Sequence, residues 1–238
     1  MMKKAQKTWK KYRHSLYLLY LPIFLLGFYL LEKYEAPYYT DIYCRFDNYI
    51  PFCEIFVIPY LLWFPFVIGG VAFFLILSFR VPSVKYDFVR FAFFLIVGLT
   101  ICLAAYVIWP SSLHLRPAHY PRDNVFTALC GIIQGIDPPV NVCPSMHVYT
   151  SLTLLYCLWD SSYLTPGKTP AHEPMAERPE KRHWRLWLRY GSLLLTILIV
   201  LSTVFIRQHS VVDVIIALIL SLLLYPLAGW FGRRFGTV

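Results

Sequence analysis

The sequence predicts an all-α, polytopic membrane protein built as a bundle of six transmembrane helices. The first observation behind this prediction is composition, since 58% of the 238 residues are hydrophobic and only 15% are charged. The second is that apolar windows close to the length of about 20 residues needed to cross hydrocarbon occur six times. The third is that basic residues gather in alternate connecting segments, as the positive-inside rule describes.

The six apolar windows follow one another along a single predicted domain, residues 1–238. They lie near 15–31, 55–79, 87–109, 146–160, 186–206 and 211–231. We interpret the first as a retained anchor, because no small-x-small cleavage pattern precedes its exit at Leu31-Glu32-Lys33. The fourth is the shortest. The last two follow each other almost without a loop, which predicts a tight antiparallel pair.

The distribution of basic residues predicts the orientation of the chain. With a cytoplasmic N-terminus, all but five of the 22 Lys and Arg residues fall on the cytoplasmic side. The exceptions are Lys33, Arg45, Arg116, Arg122 and Arg207. Both termini are therefore expected in the cytoplasm. The net charge of +9 does not indicate nucleic acid, since these basic residues lie between apolar runs rather than on one solvated face.

Two connecting segments are long. The outer segment, 110–145, contains a short apolar run at 125–136 that is too brief to cross a bilayer and predicts a helix in the interface or folded over the bundle. Residues 161–184 combine prolines with charges, which is typical of a cytoplasmic connection without chemistry. Four cysteines on the outer side are open to two interpretations, disulfide or free thiol. They are Cys44, Cys53, Cys130 and Cys143.

An ionisable pair stands at the start of the last apolar window. A carboxylate near the bilayer core costs roughly 2.5 to 3.5 kcal/mol on insertion scales, so Asp213 must face protein or water and have a partner. His209 lies one helical turn away and is the predicted partner. Arg207, in the same turn, is a candidate phosphate ligand because a guanidinium binds phosphate through two hydrogen bonds.

Two further candidates come from the outer segment. Ser145 follows a proline and is a plausible N-cap, so the free amides behind it would form an anion site at the start of a helix. His147 falls in the first turn and either donates a proton to a leaving oxygen or is simply an interfacial histidine. Arg116 either contacts lipid headgroups or binds a phosphate.

All these residues fall on one side of the predicted membrane. Two histidines, a carboxylate, two arginines and a helix N-terminus together predict a site that handles phosphate. The sequence shows no cluster of cysteines or carboxylates of the kind that binds metal, so we expect neither a metal nor a cofactor.

The motifs resemble those of the type 2 phosphatidic acid phosphatase superfamily of integral-membrane enzymes. Its second motif is matched by Pro144-Ser145-Met146-His147, and its third by Ser202, His209 and Asp213 at the family spacing. The first motif is matched only by Arg116-Pro117. Trp109 stands where members usually carry a lysine, and Thr203 where they carry an arginine.

Within that superfamily, the chain is similar to the branch that includes inositol phosphorylceramide synthase-like proteins, which lacks the same basic groups. The similarity covers about residues 100–220. It rests on the stretch from Tyr106 to Arg116-Pro117, on Asp137 and Asn141, and on Arg207 two residues before the histidine.

The resemblance implies a phosphohistidine mechanism without metal. His209 would attack phosphorus, Asp213 would orient its ring, and His147 would protonate the departing lipid oxygen and later activate water. The phosphate oxygens would be held by Arg116, Arg207 and the amides at Ser145.

The implied activity is hydrolysis of a lipid phosphate monoester or diphosphate at the extracytoplasmic face of the cell membrane. Phosphatidic acid, phosphatidylglycerol phosphate and polyprenyl diphosphates are the substrate types expected. A head-group transferase of the inositol phosphorylceramide synthase type would use the same residues, and a non-catalytic carrier or binder of lipid phosphates is the third alternative. The sequence does not indicate an oligomeric state.

Overall fold

The computed structural model describes residues 6, 9, 12–161, 163–165 and 182–236. This part of the chain is almost wholly helical, as predicted, and contains seven α-helices. They are α1 (Tyr20–Lys33), α2 (Val57–Ser78), α3 (Pro82–Ile108), α4 (Val125–Ile136), α5 (Met146–Asp160), α6 (Arg182–Phe205) and α7 (Val211–Phe235). Short 3-10 helices occupy Arg13–Leu19, Arg45–Tyr49 and Glu54–Phe56. Most of the predicted connection 161–184 lies outside the described residues. Its last residues belong to α6, which begins at Arg182.

Five helical segments are long and apolar enough to cross a membrane. They are Arg13–Lys33, Glu54–Ser78, Pro82–Ile108, His183–Phe205 and Val211–Phe235. Each coincides with a predicted window, so a multi-pass membrane protein is supported. The remaining window, 146–160, forms α5, whose 15 residues extend only about 22 Å against about 30 Å of hydrocarbon.

Helix α5 is short because it lies inside the bundle rather than against lipid. It packs against α2, α3, α6 and α7, and most of its residues are buried. Two glycines allow this close approach. A Cβ at Gly98 would lie 1.9 Å from the ring of Tyr149, and one at Gly70 would lie 2.5 Å from Leu154. Neighbouring helices therefore supply the apolar surroundings that lipid supplies to the longer helices.

The prediction that the last two helices form a tight antiparallel pair is wrong. Within the described residues, α6 and α7 make few contacts with each other, whereas α5 packs against both. The connection 206–210 fixes only the ends of the two helices, and Arg207 adopts a positive φ of 61° in it. Because a short connection does not hold helices together along their length, packing against α5 sets their separation.

The segments beyond the helices close over one end of the bundle. β1 (Thr40–Asp41) pairs in parallel with β2 (Ser111–Ser112), and Ser112 forms an antiparallel bridge to Val140. Helix α4 folds back onto the start of α2, where Cys130 packs with Val57, Tyr60 and Ile206. The predicted helix folded over the bundle is thereby confirmed. All six cysteines are free thiols, which answers the open question about a disulfide.

Candidate active site

The histidine and the carboxylate at the start of α7 are in contact, as their spacing predicts. His209 Nδ1 lies 3.2 Å from Asp213 Oδ2, which also accepts a hydrogen bond of 2.9 Å from the Ser210 amide. The Asp213 side chain is fully buried, and 8% of the His209 side chain is exposed. A carboxylate at Nδ1 favours the tautomer protonated there, which leaves the lone pair on Nε2. His209 therefore presents a nucleophilic nitrogen.

A second carboxylate, Asp47, holds this turn in place, and it was not predicted. Its buried side chain accepts hydrogen bonds from Ser210 Oγ at 2.7 Å and from the Val211 amide at 2.9 Å. It comes from the 3-10 helix Arg45–Tyr49, far from α7 in sequence. One aspartate in an outer loop carries no local signal of such a role. The start of α7 thus depends on a long-range contact.

We expect Asp47→Ala to destabilise the protein by about 2 to 4 kcal/mol, because it leaves buried donors at Ser210 and Val211 without an acceptor. Thermal unfolding in detergent measures this. The matched control is Asp41→Ala, whose carboxylate pairs only with the exposed ring of His114, so a change below about 1 kcal/mol is expected. Equal losses of stability in both variants would contradict the capping role.

His147 faces His209 from the first turn of α5. Its ring centroid lies 5.7 Å from that of His209, and it packs against Tyr60 at 4.6 Å and Trp63 at 4.4 Å. Ser145 is the N-cap of this helix, as predicted, and its hydroxyl accepts from the Val148 amide at 3.4 Å. Both histidines line the same cavity. The structure therefore brings the two predicted histidines together.

The cavity that both histidines line has a volume of about 40 Å³, which accommodates about three water molecules. Arg116, Asp137, Gln208 and Tyr106 form other parts of its wall, and α1 contributes Phe28 and Glu32. A lipid phosphate needs more room than three waters. Helix α1 contains no buried residue, so of the elements that form the wall it is the one least enclosed by protein.

Arg116 is the basic residue in the cavity wall. Its guanidinium donates to the backbone carbonyl of Gln134 at 2.9 Å and to that of Asp137 at 2.7 Å. Burial lowers the pKa of Arg116, but a guanidinium remains charged at neutral pH. Burial also raises the pKa of the Asp137 carboxyl, because the opposing effects of the nearby His209 and Arg116 are smaller. The site therefore contains one fixed cation beside a buried acid.

Two predicted phosphate ligands lie away from the cavity. The guanidinium of Arg207 donates to the carbonyls of Asp47 and Ile50, in the segment between α1 and α2. Ser145 is fully buried, and its amide donates to the Asp213 carbonyl at 3.4 Å. The helix N-terminus remains available through the first amides of α5, at Met146 and His147, which have no acceptor within the helix.

Trp109 and Thr203 stand where the resembled family carries basic residues, and neither lines the cavity. Trp109 donates through its indole N–H to Thr40 Oγ1 at 2.9 Å, outside the cavity. The Thr203 carbonyl accepts from the amides of Gln208 and His209, both at 2.9 Å. Thr203 thus shapes the turn that carries His209 through its backbone carbonyl.

Gln208 and Glu32 of the cavity wall, together with Tyr60, extend the set predicted from sequence. Gln208 was not predicted, although it stands directly before His209, and its side-chain amide donates to Asp137 Oδ2 at 3.3 Å. Tyr60 donates to the same oxygen at 3.3 Å. Glu32 comes from α1, and no spacing in the sequence connects it to the histidines. The cavity therefore holds two carboxylates, Glu32 and Asp137, beside the arginine.

The fold and the cavity define a helical multi-pass membrane protein in which two histidines line one cavity and the buried carboxylate of Asp213 contacts one of them. Comparisons of the chain with models of known protein families, with curated proteins and with solved structures found no match in any of the three.

Proposed function

We propose that this protein is a membrane lipid phosphatase that hydrolyses a lipid phosphate monoester or diphosphate through a phosphohistidine on His209. The observation that supports the proposal is the arrangement of Asp213, His209 and His147. The carboxylate orients one ring, and the second ring lies 5.7 Å away in the same cavity. A nucleophile with an orienting acid, facing a separate proton donor, is what transfer of a phosphoryl group in two steps requires.

In the first step, Nε2 of neutral His209 attacks phosphorus as the bond from phosphorus to the lipid oxygen breaks. Protonated His147 gives its proton to that oxygen, so the lipid alcohol leaves uncharged. Reacting atoms start about 3 to 3.5 Å apart and a proton donor lies about 2.8 Å from its acceptor, so rings about 6 Å apart can serve one phosphate. Asp213 stabilises the positive charge that develops on the His209 imidazole.

In the second step, a water attacks the phosphohistidine while the now neutral His147 takes one of its protons. Phosphate leaves, and His209 returns to the neutral form with its proton on Nδ1. Arg116 and the first amides of α5 stabilise the equatorial oxygens, where charge accumulates during the transfer. No proton is gained or lost by the protein over the full cycle.

The expected substrates are phosphates carried on lipid tails, because the cavity belongs to a membrane protein. Lipid tails stay in the bilayer while the phosphate enters the cavity, which suits phosphatidic acid, phosphatidylglycerol phosphate or a polyprenyl diphosphate. The bias of basic residues favours six spans with both termini in the cytoplasm, and hence a site on the extracytoplasmic face of the cell membrane. In this arrangement α5 is a short span shielded by its neighbours.

The experiment that tests the proposal uses purified protein in detergent with a panel of lipid monophosphates and diphosphates. Free phosphate and transferred head group are scored together, with and without alcohol acceptors. We expect release of phosphate in water alone. Activity that survives the double variant His147→Ala/His209→Ala would contradict the mechanism.

A second candidate, transfer of a head group from a phosphodiester lipid to a hydroxyl acceptor, is favoured by the two carboxylates in the cavity wall. Glu32 and Asp137 both line it, beside the single arginine Arg116. A phosphate monoester carries between one and two negative charges at neutral pH, whereas a diester carries one. Repulsion from these carboxylates therefore disfavours binding of the monoester more than binding of the diester.

We expect Glu32→Gln to raise kcat/KM for a phosphate monoester relative to a diester by about fivefold, which corresponds to about 1 kcal/mol of repulsion removed. Initial rates on one lipid of each kind measure the ratio. The matched control is Glu35→Gln, since Glu35 is exposed just beyond α1 and does not line the cavity. An unchanged ratio in Glu32→Gln would exclude Glu32 as a source of discrimination.

A further inference from the structure

A second cavity, of about 500 Å³, lies at the end of the bundle remote from the histidines. Lys85, which lines it, stands near the start of α3, and Tyr106, which lines the histidine cavity, stands near the end of the same helix. The 21 positions between them correspond to about 31 Å along the helix, close to the thickness of the hydrocarbon core. The two cavities therefore lie at opposite membrane surfaces.

The second cavity is basic. Arg13 and Lys85 line it together with His14, whose Nε2 is hydrogen-bonded to Ser78 Oγ at 2.8 Å. The rest of the wall is apolar or aromatic, from Trp9, Leu16, Tyr17, Val89 and Phe235. Among the described residues that line it there is no Asp or Glu. Two cations on one cavity suit a phosphate group, which both can contact at once.

A small apolar cavity of about 30 Å³ lies beside the second cavity, between the Arg13–Leu19 segment and α3. Tyr17 lines both cavities, and Phe88, Phe91 and Leu99 of α3, which line the small one, are buried. Its volume is too small for an acyl chain. The apolar part of a bound lipid therefore has to lie outside, where Leu16 and Leu19 are exposed.

We propose that the second cavity binds one anionic phospholipid from the adjacent leaflet, with the phosphate between Arg13 and Lys85 and the acyl chains against the exposed Leu16 and Leu19. The bound lipid fastens the Arg13–Lys33 segment to α3. Such an attachment would add to the hydrogen bond between Tyr20 and Thr100 of α3 in holding α1, none of whose residues is buried by protein. This site is separate from the histidine cavity and takes no part in the phosphoryl transfer.

The test measures lipid binding to the purified protein by native mass spectrometry and by thermal unfolding in detergent. The probes are dioleoyl phosphatidylglycerol, dioleoyl phosphatidylcholine, and inorganic phosphate as the arm without a lipid chain. We expect phosphatidylglycerol to raise the unfolding midpoint by several degrees. Arg13→Gln/Lys85→Gln should weaken its binding at least tenfold, and Arg13→Lys/Lys85→Arg, which keeps both charges, should retain it.

A charge-matched control separates this cavity from general attraction to anionic lipid. Arg80→Gln/Arg233→Gln removes two exposed basic residues that do not line the cavity, and it should bind phosphatidylglycerol like the unmodified protein. Equal weakening in both double variants overturns the proposal, and so does equal stabilisation by phosphatidylcholine. Full stabilisation by inorganic phosphate alone reduces the site to a simple anion site and overturns the lipid assignment.

Discussion

His209→Ala should reduce turnover of the best lipid phosphate by about 10³- to 10⁶-fold, because it removes the nitrogen that attacks phosphorus. Its side chain is 8% exposed and faces the cavity, so the truncation alters the site more than the packing. Initial rates of phosphate release measure the loss. A substrate labelled on phosphorus should also leave label on the unmodified chain after rapid denaturation at alkaline pH, and none on the variant.

The matched control is His114→Ala. His114 is an exposed histidine on the same side of the protein, paired with Asp41 at 2.9 Å, and its removal should leave turnover within about twofold. A non-catalytic carrier or binder of lipid phosphates would behave differently, because His209→Ala would then leave the binding of lipid phosphates largely intact. Covalent label that persists in His209→Ala would place the phosphohistidine on another residue.

Asp213→Asn should lower kcat by about 10²- to 10⁴-fold with little change in KM. The asparagine oxygen can still accept the hydrogen bond from Ser210, so the turn keeps its shape. Because Oδ2 accepts from both the Ser210 amide and His209 Nδ1, the same oxygen also keeps the imidazole proton on Nδ1. A neutral amide, however, does not stabilise the positive charge that develops on the attacking ring. The loss therefore falls on the chemical step rather than on substrate binding.

Stability measurements separate this effect from misfolding. Asp213→Asn should unfold within about 1 kcal/mol of the unmodified protein, because the amide oxygen keeps both hydrogen bonds that Oδ2 accepts. Asp213→Ala should lose several kcal/mol, since it leaves the buried Ser210 amide and His209 Nδ1 without an acceptor. Full activity in Asp213→Asn would show that the negative charge of Asp213 does not contribute to catalysis.

The sequence predicted those parts of the fold that depend on one segment at a time. A helix that faces lipid must be continuously apolar over about 20 residues, so five windows correspond to five suitable helices. Helix α5 was also located, but its place inside the bundle was not. That place depends on neighbours such as Gly70 and Gly98, which leave room for its side chains.

The same distinction applies to the site. The contact between His209 and Asp213 was predicted from their spacing of one helical turn. His209 precedes the N-cap Ser210, so the capping turn, in which Asp213 accepts from the Ser210 amide, brings the two side chains together. The sequence did not predict that Arg207 and Ser145 lie away from the cavity. Arg207 is hydrogen-bonded to a segment distant in sequence, and Ser145 is fully buried. Asp47 and Glu32 carried no signal, because neither stands at a spacing that links it to the histidines.

Local patterns in the sequence were enough to predict a helical membrane protein with a histidine and a carboxylate at the start of its last apolar helix. Both features arise from physical constraints within one apolar window or one helical turn. Contacts between distant segments were needed to establish that α5 lies between α6 and α7, that Arg116 rather than Arg207 lines the cavity, and that Glu32 lines it too. These features depend on contacts between segments far apart along the chain, where burial and hydrogen bonding select among side chains that look equivalent in sequence.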